Sequence, residues 1–530
     1  MNPAKENEVS ENTNTMTDSV AAAAAADKHR SRHWTFSRDQ LDQLKGESVR
    51  GGLVTVVSEG LRFVLQTGSM MVIARLLTPD DFGVQGMVLA LTGFVMLFRD
   101  AGLTMATVQR DEITHEEVST LFWINAVIGI VLAAVVAASA PMLVRFYHEP
   151  RLFWVTIFSA LAFAISGLGM QHGALLQRSM RYVTMARIGV YSLLGSVVVA
   201  VLMAAYGFGY WSLVAMALVG SIIGAAGAFI AVPWVPGWPK RGQGVRSMLH
   251  FGGTITFNNL IVYLAYNTVP NMLLGRAFGT EALGIFGRAY QLVNLPMQQL
   301  NNAIYRVAFP ALSRIQNDNA RVRRSFLAGY SVLLSFNVPI TIFTALFAEP
   351  VIEIMLGQQW LHATPVLQLL TPAILGFALV NPLGWFMMAT GLAGRSLRIA
   401  YLVAPVVILG VYLGLPYKLN GVALGFSLAV LALVVPIVVW ALHGTGITLR
   451  DYWNTVKHSM LSGVVAGAVG WAVERACGAT LSAIPEMLVG GCVVFGVYAF
   501  VLLFIMGQKS LYLDLVKQVR AKRRTKADPS

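Results

Sequence analysis

The sequence predicts an all-α polytopic membrane protein: about 14 transmembrane helices, as two parallel-related six-helix lobes plus two extra helices. Three observations predict it. Of 530 residues, 56% are hydrophobic and only 12% charged, whereas a soluble globular chain is roughly 25% charged. Apolar stretches approaching the ~20 residues that cross a bilayer begin near 53, 84, 120, 152, 188, 210, 250, 284, 326, 365, 397, 420, 459 and 487. The first of these stretches returns 201 residues later. The composition excludes a soluble multidomain enzyme and a disordered chain. Two cysteines, Cys477 and Cys492, exclude a disulfide framework. A net charge of +13 would point to nucleic acid only on a soluble basic face. The basic residues are distributed otherwise, and no nucleic-acid partner is expected.

Residues 1–50 are polar, and the run Ala21–Ala26 is too short and too weakly apolar for a signal peptide. A disordered cytoplasmic tail is expected there, with a short amphipathic helix over Ser37–Lys45. Spans one to six make an N-lobe over 51–232. The run Pro233-Trp234-Val235-Pro236-Gly237-Trp238-Pro239 opens a cytoplasmic linker over 233–248. Its prolines stiffen it, and its tryptophans suit the headgroup layer. Spans seven to twelve make a C-lobe over 249–442, spans 13 and 14 fill 443–507, and a basic cytoplasmic tail runs over 508–530. Breaks carry turn signals such as Thr78-Pro79-Asp80-Asp81 and His148-Glu149-Pro150. The longest outer loop is expected near Glu349–Ala363.

Lysine and arginine set the orientation. With the N-terminus inside, 30 of the 39 fall in inner segments and seven in outer loops, while Arg62 and Arg99 lie within spans. That asymmetry follows the positive-inside rule and puts both termini in the cytoplasm.

The repeat aligns 51–94 with 252–295 without a gap. Arg75 meets Arg276, Asp80 meets Glu281, Phe82 meets Leu283, Gly83 meets Gly284 and Gly86 meets Gly287. The shared pattern is R-x4-[DE]-x-[FL]-G-x-x-G at the outer turn between two spans. Six spans per unit leave both units in the same orientation. Transporters built from such parallel repeats hold their site between the halves near the midplane.

The stretch Ala74-Arg75-Leu76-Leu77-Thr78-Pro79-Asp80-Asp81-Phe82-Gly83 resembles the signature ARLL-x-P-x-[DE]-[FY]-G of the polysaccharide-transport (Wzx-type) branch of the MOP flippase superfamily. Arg99-Asp100-Ala101-Gly102-Leu103 is similar to the same branch's [FR]-x-[DE]-x-G-[LF]. The resemblance covers most of residues 50–510. It implies a flippase in the bacterial inner membrane. The cargo it implies is an oligosaccharide repeat unit on a prenyl pyrophosphate of the undecaprenyl type, moved for exopolysaccharide, capsule or lipopolysaccharide synthesis. Membrane lipids, a polymerase and glycosyltransferases are the implied neighbours. By the same resemblance, spans 13 and 14 form a groove for the prenyl tail.

Polar residues inside spans mark candidate sites, because burying them in lipid is costly. Thr55, Glu59, Arg62, Gln66 and Ser69 share one helical face of span one. Arg99 and Asp100 lie at a matching depth in span two, so that Glu59 can meet Arg99 and Arg62 can meet Asp100. One reading is an interhelical salt bridge. The other is a cationic wall in which Arg62 and Arg99, with Gln66, take a diphosphate, since arginine offers paired N–H donors to its oxygens. Glu59 or Asp100 would then couple transport to H+ or Na+. The second lobe is polar but uncharged. Asn259, Tyr263 and Asn267 lie on span seven, and Gln291, Asn294, Gln298 and Asn302 on span eight. Amides and phenols suit sugar hydroxyls, and they also pin helices together. Nine histidines show no metal-ligand spacing, and no P-loop, GxSxG or HExxH pattern occurs. No catalytic residue, metal or cofactor is expected. An ion-coupled drug exporter of the same superfamily and a membrane polysaccharide polymerase are the competing readings.

Overall fold

The computed structural model describes residues 59–99, 104, 107–108, 113–239, 260–316, 318–477, 481–509 and 512. The expected tail 1–50, the linker beyond 239, the basic tail beyond 512, Asp100 and Asn259 lie outside the described residues.

Among the described residues, a long helix stands at each of the 14 expected span positions. The N-lobe holds α1 (59–76), α2 (Pro79–Met96), α3 (His115–Ala138), a short α4 (Ala140–Tyr147), α5 (Leu152–Arg178), α6 (Tyr182–Ala205) and α7 (Trp211–Ala231). The C-lobe opens at residue 260, passes a π-turn at Leu264–Thr268 and continues as α8 (Val269–Arg314). Gly279 breaks α8 into two arms at φ 82°, ψ −169°, a region that glycine alone enters cheaply. The two arms are spans seven and eight. The lobe continues with α9 (Asn319–Leu346), a short α10 (Ala348–Met355), α11 (Thr364–Ala389), α12 (Ala393–Gly414) and α13 (Lys418–Leu442). Outside the repeat, α14 (Leu449–Cys477) and α15 (Ala483–Phe500) pack on α9. Eight stretches are long and apolar enough to cross a membrane, one of them holding both α12 and α13.

Local sequence explains the helix starts. Thr78 caps α2: its hydroxyl accepts from the Asp81 N–H at 3.3 Å, and the Asp81 carboxylate accepts from the Thr78 N–H at 3.0 Å. Pro79 takes the first helical position, where its missing N–H costs nothing. Thr114 with Glu117, and Thr448 with Asp451, repeat that reciprocal cap at α3 and α14. Glycines then let backbones touch. A Cβ on Gly129 would sit 2.8 Å from the Phe163 carbonyl oxygen, and one on Gly425 would sit 2.2 Å from that of Gly410. Gly463 packs against Val338 and Ile342 of α9.

Two segments differ from expectation. The linker's first half is bound to the N-lobe. Trp234 Nε1 donates to His115 Nδ1 at 2.9 Å, the Gly237 N–H to Ser119 Oγ at 3.0 Å, and Trp123 Nε1 to the Gly237 carbonyl at 2.9 Å. The expected loop near Glu349–Ala363 is α10 followed by a 3-10 turn at Gln358–Ala363, with Trp360 fully buried. Its apolar residues are core packing rather than loop.

Candidate functional site

The two copies of the repeated motif face each other and seal one end of the molecule. A Cβ on Gly83 would fall 1.8 Å from the Thr280 carbonyl oxygen, and one on Gly284 would fall 1.9 Å from that of Pro79. Gly83 corresponds to Gly284, and Pro79 to Thr280, under the 201-residue offset. The seam is therefore a pseudo-twofold contact, with the same patch used by both lobes. Each lobe also sends an aromatic across. Trp360 Nε1 donates to the Ala74 carbonyl at 2.8 Å, and the Tyr147 ring lies 2.8 Å from where a Cβ on Gly275, the counterpart of Ala74, would be. Phe82 receives the edge of Trp360 and the guanidinium of Arg288, 4.1 Å from its centroid.

Charge braces the N-lobe side of the seam, and two hydrogen bonds cross it. Arg151 binds Asp80 at 2.6 Å and Glu149 at 2.8 Å, and the Thr280 hydroxyl donates to Asp80 from the other lobe. Arg75 Nη2 donates to the Ile354 carbonyl at 2.8 Å. Asp80 and Glu149 lie in turns at span ends. Hydrogen bonds from Arg151 hold both carboxyls below their usual range, against a smaller opposing effect of burial. The lowered carboxylates stabilise this N-lobe brace above the ordinary carboxylate range and lose that contribution as pH falls through the lowered values, and the Thr280 bond to Asp80 carries the effect across the seam. Spin labels at Leu76→Cys and Arg276→Cys, with Cys477 and Cys492 replaced by serine, should report one inter-lobe distance from pH 8 to 5. Opening should begin only below about pH 4.

At the other end, the N-lobe holds a cavity of about 780 Å³, within the roughly 300–1,000 Å³ of small-molecule sites. Arg62 of α1, Gln85 of α2 and Arg99, just past the end of α2, supply polar groups at its walls, and among the described residues no carboxylate lines it. The Arg62 guanidinium rests on Gly189 of α6, with Cζ 3.6 Å from a Cβ built there. Deeper walls are small and hydroxylated, with Ser166, Ser192, Ser196 and Ser221. Each of these hydroxyls donates to a helix carbonyl, as in Ser192 Oγ to Gly220 at 2.7 Å and Ser221 Oγ to Ala217 at 2.9 Å. Their oxygens are left as acceptors. A side chamber of about 200 Å³ shares Gln85, Arg99, Ser166 and Ser221 and reaches Gly93.

The structure thus places Arg62 and Arg99 in the lining of one cavity. Gln66 is exposed on α1 and lies outside that wall, and Glu59 is half-buried in the first described turn of α1. In the C-lobe, Tyr263 reaches across: its hydroxyl would lie 1.8 Å from a Cβ on Gly93. Asn267 is half-buried in the π-turn, Asn294 hydrogen bonds Tyr290, Gln291 is half-buried, and Gln298 and Asn302 are exposed. None of these amides lines the arginine cavity, whose walls among the described residues come from the N-lobe. Sequence reading did not single out Arg151, Thr280, Trp360 or the four serines. Arg151 gives no signal until its turn meets Asp80. Serines within spans pass for ordinary helix residues, because they can bond to their own backbone.

A two-lobed, all-helical membrane bundle, sealed at one end and carrying a cationic cavity toward the other, has the architecture of a transporter rather than of a channel or a membrane enzyme. The Polysaccharide biosynthesis protein family matches residues 72–365, over half of the chain, and the chain belongs to that family. It is similar to the teichuronic acid biosynthesis protein TuaB of Bacillus subtilis, at 28% identity over 65% of this chain and 71% of that one. It is similar to the lipopolysaccharide biosynthesis protein WzxC of Escherichia coli, at 28% identity over 71% and 76%. Among solved structures, the lipid II flippase MurJ in an inward closed conformation superposes with a TM-score of 0.67 at 13% identity, over 86% of this chain and 99% of that one. An inward-facing multidrug-resistance MATE transporter of the MOP superfamily gives 0.58 at 13%, over 71% and 93%. These likenesses show that the chain shares the fold of those two transporters.

Proposed function

We propose that the chain is a flippase: a transporter, not an enzyme, that moves a prenyl-pyrophosphate-linked oligosaccharide repeat unit from the inner to the outer leaflet of the bacterial inner membrane. The cargo serves exopolysaccharide, capsule or lipopolysaccharide synthesis. One observation carries the reading: Arg62 and Arg99 share a cavity that no carboxylate lines among the described residues, in a fold sealed at the opposite end. A diphosphate needs permanent paired donors, and arginine supplies them. The serine oxygens deeper in are acceptors for sugar hydroxyls, so the diphosphate sits at the arginine end with the sugars toward the seam. The cavity is too small for the prenyl tail, which stays in lipid. Tyr263 at Gly93 supports a contribution from the C-lobe, with Asn259, Asn267, Gln291, Asn294, Gln298 and Asn302 meeting cargo when the lobes rearrange.

The positive-inside asymmetry supports a cytoplasmic linker end and cytoplasmic termini. The sealed seam is then the outer gate, and alternation requires it to part while the linker end closes. Because residues 234–237 are tied to the N-lobe, this part of the linker moves with that lobe. Glu59 and Asp100 are the candidates for H+ or Na+ coupling. A cavity for cationic drugs would present carboxylates, so the arginine wall favours the flippase over the drug exporter.

The test is a strain lacking the gene. Single repeat units on the prenyl carrier should accumulate in the inner leaflet, out of reach of an impermeant sugar-binding probe on intact spheroplasts, and the restored gene should clear them. Accumulation in the outer leaflet would contradict the flippase.

A further inference from the structure

We propose that a second pocket, between α9 and α14, binds the phosphate headgroup of an anionic phospholipid. The pocket holds about 510 Å³ at the linker end of the C-lobe and shares no lining residue with the arginine cavity. Arg323 and Arg324 come from α9, Asn454, Thr455 and His458 from α14, and Gln508 from beyond α15.

The electrostatics are asymmetric. Asp451 is the neighbouring carboxylate. It accepts from Arg323 Nη2 at 2.5 Å and is otherwise spent capping α14, taking the Thr448 N–H at 3.0 Å and the Thr448 hydroxyl at 2.7 Å. Arg323 uses one of its five donors in this way, and Arg324 has no ion pair or hydrogen bond among the described residues. His458 has Nδ1 buried without a hydrogen-bond partner. Two guanidinium groups beside side-chain amides and a hydroxyl form a donor-rich basket, which fits a phosphate.

The surroundings select a lipid over a soluble anion. Arg323 and Arg324 lie about 6–8 Å along α9 from its start, the depth of a headgroup for a spanning helix. Trp453, 62% exposed, stands beside Asn454 where an interfacial aromatic belongs. Asn454, His458, Leu461 and Val465 share one face of α14, and Leu461 and Val465 are exposed there, a lipid-facing strip along which an acyl chain can lie. Six further lysines and arginines follow Tyr512 in the sequence. Basic pockets between spanning helices on the cytoplasmic side recognise anionic headgroups.

The test uses the full-length chain purified in detergent, with bound lipid counted by native mass spectrometry. The parent should retain phosphatidylglycerol and not phosphatidylcholine, and excess inorganic phosphate should leave the lipid bound. Arg324→Glu, at an exposed position, and the pair Arg324→Gln with His458→Gln should each lower retention about tenfold. Arg324→Lys should keep most of it. Equal retention by the parent and an Arg324→Glu chain of the same melting temperature would overturn the site, as would equal retention of phosphatidylcholine. Displacement by inorganic phosphate would overturn the lipid as its occupant.

Discussion

Gly83→Val and Gly284→Val chains are expected to fold and insert, and to fail in transport. A Cβ at either position lies under 2 Å from a carbonyl oxygen of the other lobe. Backbone cannot swing aside as a side chain can, so the seam must open to admit the new atoms. The three atoms nearest to each built Cβ all belong to the other lobe, so the severest overlap lies in the seam. Each lobe therefore folds, and what is lost is the closed state. Overpacking costs about 1–3 kcal/mol when side chains can yield. A backbone overlap reaches or exceeds the upper figure, which lowers the closed population at least about a hundredfold. Gly287 belongs to the same motif, yet a Cβ there meets nothing within 4 Å. Gly287→Val should transport normally and serves as the control. The Leu76–Arg276 spin-label distance should lengthen in the first two variants and not in the third. Wild-type transport by Gly83→Val would remove the seam as an obligatory state.

Arg62→Ala and Arg99→Ala are each expected to reduce polysaccharide output about 10- to 100-fold, and the double variant to abolish it. A hydrogen bond to a charged group is worth about 1.5–3 kcal/mol, and each guanidinium supplies one or two to a diphosphate. Arg62→Lys should recover part of the loss, since it keeps the charge without the fork. Gly189→Leu gives an independent check. Its side chain would take the space on which the Arg62 guanidinium rests, displacing that group without removing its charge. Output in the gene-deleted strain carrying each variant, normalised to membrane-inserted protein, reads all five.

Much of this fold is legible in the sequence because a bilayer permits few solutions. Spanning helices must satisfy their own backbone, so 14 apolar stretches became 14 helices. The Thr78-Pro79-Asp80-Asp81 turn is legible too, since capping chemistry is local. The repeat identified Gly83 and Gly284 as equivalent. It could not reveal that the two glycines face each other's neighbours, because pairing across a pseudo-twofold axis belongs to the tertiary structure. The same holds for Arg151, whose partner Asp80 is 71 residues away. The arginine pair was found because charge in a span is conspicuous. The serine wall is not legible because a serine that bonds to a helix carbonyl, its own or a neighbour's, costs little in lipid. The amide rows of α8 were legible as polar faces, but whether such a face meets cargo or a neighbouring helix is decided by lobe position, which local sequence does not encode.

The most direct test of the central claim is reconstitution of the purified chain in vesicles holding a short prenyl-pyrophosphate-linked oligosaccharide, with a membrane-impermeant glycosidase outside. Vesicles with the parent chain should surrender nearly all of the cargo to the enzyme, whereas those with the Arg62→Ala, Arg99→Ala chain should stop at the outer-leaflet share of about half. Complete cleavage with the arginine-free chain, or a parent chain that also stops at half, would contradict flipping through this cavity.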